Sequence, residues 1–178
     1  LSLHDALPIW LELTSQGKIL KDIINELRNM IYNLRPMSFD DIGFNITVER
    51  ALDKLRNSNN IRYNFKTSGD EYMVDSLVSL TLLRVIQEAC SNSIKHGHAK
   101  EINVSLKYEP KSLTLTIKDD GDGFDTSAIP EFTRDDNSGF GLSMMKERIY
   151  LLSGKISISS RPGDGCIVKV IIPVNKED

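Results

Sequence analysis

Near the middle of the chain, Ile102-Asn103-Val104-Ser105-Leu106 and Leu113-Thr114-Leu115-Thr116-Ile117 alternate apolar and polar residues across a short turn near Pro110. Such alternation predicts two half-buried strands. A second pair, Lys155 to Ser159 and Ile167 to Ile172, flanks the turn Arg161-Pro162-Gly163-Asp164-Gly165. Strands joined by so few residues run antiparallel, because a parallel pair needs a crossover of about a dozen residues. Two consecutive hairpins therefore exclude a purely parallel, doubly wound sheet.

The remaining periodicities supply helices. Leu77 to Ile94 is a mostly apolar helical run, with Asp75 placed to cap its start and Gly97 to end it. Asn45 to Arg56 carries Val48, Ala51, Leu52 and Leu55 on one helical face. Ile61 to Lys66 alternates as a strand, and Gly141 to Leu152 reads as a helix. From Gly43 onward the order is helix, strand, helix, strand, strand, loop, helix, strand, strand. That order predicts an α+β fold: a two-layer sandwich with a mixed, mainly antiparallel sheet packed on helices. Upstream, Ile19, Leu20, Ile23, Ile24, Leu27, Met30, Ile31 and Leu34 recur at three- and four-residue spacing. They predict one long amphipathic helix from about Thr14 to Leu34, stopped by Pro36. No second long helix pairs with it, so its apolar stripe is expected to meet another chain or a missing helix. Residues 38–43 read as a connector.

Bulk properties narrow the function classes. The hydrophobic fraction of 40% and charged fraction of 26% are ordinary for a soluble globular protein. A net charge of −3, without a basic block, argues against nucleic acid as the main partner. No apolar run approaches the roughly 20 residues of a membrane span. Cys90 and Cys166 stand in unrelated contexts, so a disulfide framework is not expected and a reducing cytoplasm fits. Cys90 is expected to be a small core residue.

Three constellations carry chemistry. Glu88 and Asn92 are four apart on one helical face, and Lys95 joins them three residues on. Mg²⁺ prefers oxygen ligands and keeps several waters, so one side-chain carbonyl plus phosphates can hold it. Asn92 suits that role, Glu88 that of a base or water-orienting group, and Lys95 can reach a phosphate. The same residues also fit a solvated helix face. Asp119 ends a strand and leads into Asp120-Gly121-Asp122-Gly123. A strand-end carboxylate can accept from an exocyclic amine such as that of adenine. The competing readings are an acidic turn or a calcium loop, but the terminal Glu of an EF-hand pattern is missing. Gly139-Phe140-Gly141-Leu142 opens a helix, where backbone amides can face phosphate. No P-loop motif is present.

In that order and span, the three constellations resemble the ATP-binding superfamily of gyrase B, heat-shock chaperones, mismatch-repair ATPases and histidine kinases. The match is nearest to sensor histidine kinases of the nitrate-sensor and degradation-sensor type, over about Leu27 to Pro173. Leu34-Arg35-Pro36 with Asp41-Ile42-Gly43 resembles the exit of the dimerisation helix. Gln87-Glu88-Ala89, Asn92 and Lys95-His96 are similar to the N box. Asp119 to Phe124 matches the first glycine box, and Gly139-Phe140-Gly141-Leu142 with Met145 and Glu147-Arg148 the second. Gly163 to Val168, then Pro173, resembles the terminal hairpin, with Cys166 where the family usually has Thr.

The resemblance implies a Bergerat-type ATP-binding fold preceded by one long dimerisation-type helix. It divides the chain into a remnant of the dimerisation domain, 10–37, and a catalytic domain, 38–178. It implies ATP and Mg²⁺ as cofactors, with Asn92 on the metal, Glu88 assisting transfer, and Lys95 and His96 beside the phosphates. Asp119 would read adenine in a pocket shaped by Gly121, Gly123 and Phe124. Residues 125–138 would form a short lid, with Gly139, Gly141 and Leu142 near the phosphates. Arg148 would make a structural salt bridge or pack on its helix, and His96 and His98 would act at a helix end.

The implied function is that of a two-component kinase in the cytoplasm. It would transfer the γ-phosphoryl group to a histidine for relay to a response regulator. The partners would be a homodimer through residues 14–34 and that regulator, with a membrane reached only through N-terminal regions not in this chain. The alternatives are a related ATPase or serine kinase, or a dimerising adaptor without activity. The chain starts at Leu1 rather than Met and reads as a fragment, and residues 1–9 (LSLHDALPI) read as translated adapter sequence. His4-Asp5 imitates the family's acceptor pair, but Pro8 would break the helix it requires. The acceptor is therefore expected to be absent.

Overall fold

The computed structural model describes residues 43–58, 61–126 and 140–174. All of them fall in one structural unit, Phe39–Asp178. The expected helix at 14–34, the domain division at 37–38, the 1–9 segment, His4, Gly139 and most of the lid lie outside the described residues.

Alternation decides the sheet. In β2 (Glu101–Glu109), Ile102, Val104, Leu106 and Tyr108 are buried while Asn103, Ser105 and Lys107 are exposed. Strand β3 (Ser112–Asp119) buries Leu113, Leu115, Ile117 and Asp119 on the same side. The two pair antiparallel, Ile102 opposite Asp119 and Leu106 opposite Leu115. Strand β1 (Arg62–Ser68) lies parallel to β2, and β4 (Lys155–Ser160) lies antiparallel to β5 (Cys166–Pro173). The order across the sheet is β1-β2-β3-β5-β4, so β5 inserts between β3 and β4. The sheet is mixed and mainly antiparallel, as the two hairpins require.

Among the described residues, three helices cover one face: α1 (Phe44–Ser58), α2 (Ser76–Lys95) and α3 (Phe140–Leu151). α2 spans about 30 Å at 1.5 Å per residue. Asp75 caps it by accepting from the Leu77 and Val78 amides at 2.8 and 3.2 Å. Leu82, Val85, Ile86, Ala89 and Cys90 recur at helical spacing and press on the sheet. Val48 and Leu52 from α1, with Met145 and Ile149 from α3, complete the core. Burying one such aliphatic side chain stabilises the fold by about 1.5–3 kcal/mol. Among the described residues, no helix is long and apolar enough to cross a membrane.

One core polar atom is unmatched. Tyr63 is 3% exposed, and its hydroxyl has no hydrogen-bond partner among the described residues. Burial pushes its pKa up to about 12, with the Cys90 thiol adding to the rise. An unpaired buried hydroxyl costs stability. Tyr63→Phe is therefore expected to raise stability by about 1 kcal/mol, read as a higher urea midpoint at unchanged slope. A lower midpoint would show that the hydroxyl is satisfied.

Candidate nucleotide site

The site is assembled where the C-terminal half of α2 meets the loop that leaves β3. α2 holds Glu88 and Asn92 one turn apart and half-buried. The Asn92 amide nitrogen donates to Glu88 Oε1 at 3.2 Å. That bond orients the amide so that its carbonyl oxygen is the atom left for a hard cation. One such oxygen, with waters and phosphates, fits the coordination habit of Mg²⁺. The start of α3 lies against Glu88. A Cβ on Gly141 would run into Glu88 Oε1, so a larger residue there would push the Glu88 side chain aside. The N box and the second glycine box thus meet at one carboxylate.

Asp119 is the hub of the other half. It ends β3 and is only 6% exposed. Its Oδ1 accepts from the Gly121 amide at 2.9 Å and the Cys166 amide at 3.1 Å. The Ser93 hydroxyl donates to Oδ2 at 2.6 Å, with the Ala89 carbonyl at 3.0 Å as a second acceptor for the same proton. Asp119 is thereby fixed by β3, β5 and α2 at once. Oδ2 keeps accepting capacity for a ligand amine.

The three aspartates of this loop have separate duties. Asp120 accepts from the Lys100 and Glu101 amides, both at 2.8 Å. These bonds, the one from Glu101 foremost, hold its carboxyl below the usual range. Asp122 reaches His98 Nδ1 at 2.7 Å on the surface, and its amide donates to the Gly97 carbonyl at 2.7 Å. Carboxylates that diverge in this way make no calcium loop. No group of three or more metal-ligating side chains occurs among the described residues.

Close backbone approach explains the glycines. A Cβ on Gly121 would strike the Gly97 carbonyl. Gly123, at φ +64°, would strike the Arg161 carbonyl, and Gly165, at φ +70°, the carbonyl of Asp119. The Phe124 amide is held by Ser160 Oγ at 2.9 Å. The turn between β4 and β5 therefore backs the loop that carries Asp119.

The other expected site residues are placed as follows. Lys95 is exposed at the end of α2, and His96 is its exposed C-cap, its amide donating to the Asn92 carbonyl at 2.9 Å. His98 acts differently from a helix cap, through its pairing with Asp122. Phe124 and Leu142 are half-buried. Arg148 is half-buried on α3 and shows no ion pair among the described residues, which favours packing over a salt bridge.

Two features were missed in the sequence. Ser93 follows Asn92 in the buried stripe 82-86-89-93, and a polar residue in such a stripe was the available signal. The two cysteines also converge: burial, with the Asp119 carboxylate adding to it, pushes Cys90 up to about 12 and Cys166 up to about 11. Their unrelated sequence contexts concealed this shared neighbour. Cys166 meets Asp119 through its backbone, a contact that loss of a threonine hydroxyl does not touch.

The profile described as histidine kinase-, DNA gyrase B-, and HSP90-like ATPase matches residues 78–176. The chain is 32% identical over 167 residues to the signal transduction histidine-protein kinase/phosphatase DegS of Brevibacillus brevis, covering 94% of this chain and 42% of that protein. It is 34% identical over 166 residues to an uncharacterized sensor-like histidine kinase of Chloroflexus aurantiacus, covering 92% of this chain and 28% of that one. The chain thus spans less than half the length of these relatives. Among solved structures, the Acinetobacter baumannii histidine kinase AdeS superposes with a TM-score of 0.62 at 20% identity, over 94% of this chain and 84% of that one.

Proposed function

We propose, for a chain that belongs to the histidine kinase-, DNA gyrase B- and HSP90-like ATPase family, that it is the catalytic portion of a two-component sensor histidine kinase. In this reading it binds ATP and transfers the γ-phosphoryl group to a histidine on a dimerisation domain, for relay to a response regulator. The observation that carries the proposal is Ser93. It ties the buried Asp119 carboxylate to the helix turn that presents Asn92, so an adenine acceptor and a cation ligand are held in one rigid frame.

Each residue then has a task. Asp119 accepts from the adenine amine, while Gly121 and Gly123 keep the loop close. Asn92 would hold Mg²⁺, which supplies charge neutralisation across the phosphates when bound. Glu88, hydrogen-bonded to Asn92, orients that amide and serves as acceptor for the incoming nucleophile's proton. Lys95, His96, Gly139, Gly141 and Leu142 would serve the phosphates. Such catalysis is mostly positioning and electrostatics. Residues 10–37 would belong to the dimerisation domain, pairing two copies through residues 14–34, and 38–178 to the catalytic domain. The setting would be the cytoplasm.

The test supplies a histidine-bearing dimerisation hairpin in trans with γ-labelled ATP. The expected result is acid-labile label on the hairpin and none on this chain. Asn92→Ala should reduce transfer at least about a hundredfold, with ADP binding in the absence of Mg²⁺ changed only a few-fold. Label on His4, or transfer undiminished in Asn92→Ala, would overturn the reading.

A further inference from the structure

The sheet face turned away from the helices is basic, although the chain as a whole carries −3. Each of the five strands contributes one lysine to it: Lys66, Lys107, Lys118, Lys169 and Lys155, all exposed. Arg62 is the sixth cation, and Glu101 and Glu109 are the only acidic side chains in the outward strand positions. Glu101 pairs with Arg62 at 3.3 Å, and Glu109 with Lys107 at 2.7 Å. Lys66, Lys118, Lys155 and Lys169 have no carboxylate partner among the described residues. The register spaces them apart: Lys66 faces Ser105, Lys118 faces Asn103, Lys169 faces Thr116 and Ser157, and Lys155 faces Ile171. Strands lie about 4.8 Å apart, so the face is about 20 Å wide.

We propose that this face docks on an anionic lipid surface. The choice of occupant follows from the composition. A protein interface would need aromatic or arginine anchors set in pockets; the arginine of this face, Arg62, is well exposed and paired with Glu101, and the outward strand positions offer only Ile167, Ile171 and Pro173 as apolar contacts. Dispersed ammonium groups among short neutral side chains suit a planar field of headgroups, which asks for no fixed geometry. The nucleotide site lies on the opposite, helical side of the sheet, so docking would leave it open.

The experiment sediments the full chain with vesicles of phosphatidylcholine, alone or mixed with phosphatidylglycerol, at low and raised salt. Binding is expected only to the mixed vesicles, and to fall with salt. Each lysine near such a surface contributes roughly fivefold in partition, so combining Lys66→Gln, Lys118→Gln and Lys169→Gln should lower it about a hundredfold. The control pair Lys54→Gln and Lys146→Gln, on the helical layer, should lower it much less. Urea midpoints verify that both variants fold. Equal partition to the two vesicle types, undiminished partition of the sheet variant, or binding to duplex DNA or polyglutamate but not to vesicles would overturn the proposal.

Discussion

Asp119→Asn is expected to weaken Mg-ADP binding about 30- to 100-fold while leaving the domain folded. The replacement keeps one oxygen for the Gly121 and Cys166 amides, which approach Oδ1. An amide nitrogen then takes the place of Oδ2. Ser93 can adapt, because its hydroxyl can turn its proton to the Ala89 carbonyl and accept from the new amide. An adenine amine cannot, because it would meet a donor. Losing a hydrogen bond to a charged acceptor costs about 2–3 kcal/mol, which sets the fold-change. Asp119→Ala should instead strike stability. It strands the buried Gly121 amide, at about 1–3 kcal/mol, and the part-buried Cys166 amide at less. Calorimetry with Mg-ADP and urea unfolding separate the two effects, and ADP affinity within twofold of wild type in Asp119→Asn would remove adenine recognition from this residue.

Within the turn joining β4 and β5, two glycines should respond very differently to alanine. Gly163 has φ +86° and nothing within 4 Å of an added Cβ. Gly163→Ala carries only the left-handed backbone cost, about 1–2 kcal/mol. Gly165 has φ +70° and would in addition drive its Cβ into the Asp119 carbonyl. That obstacle is backbone within β3 and cannot rotate aside. Gly165→Ala should cost more than about 3 kcal/mol, a large share of a total near 5–15 kcal/mol. It should also weaken ADP binding, because the obstacle belongs to Asp119. Urea midpoints for the two variants measured side by side decide it; equal losses would mean that the backbone angle alone governs both.

Local periodicity made most of the fold legible. Helices expected at Asn45 to Arg56 and Leu77 to Ile94 appear as Phe44–Ser58 and Ser76–Lys95, and Asp75 caps as its position implied. The strand begun near Ile61 runs on to Ser68, because pairing with β2 continues to Lys107. Insertion of β5 beside β3 was not legible, since strand order depends on contacts far apart in the chain. Neither were the separate tasks of Asp119, Asp120 and Asp122. Their one-letter runs are alike, and only the amides that surround each carboxylate distinguish them. The lysine face was hidden for a similar reason. Its members come from five separate strands and share nothing but an outward position in them.

The Cys166 amide that holds Asp119 lies 47 residues downstream of it. At synthesis rates of 5–20 residues per second, that strand leaves the ribosome roughly 2–9 s after β3 does. Through that interval the nascent chain displays a bare β3 edge, open to pairing with a neighbouring chain. The carboxylate that organises the site is also without one of its donors. The growing polypeptide therefore completes the frame around Asp119 only when β5 fills the gap in the sheet.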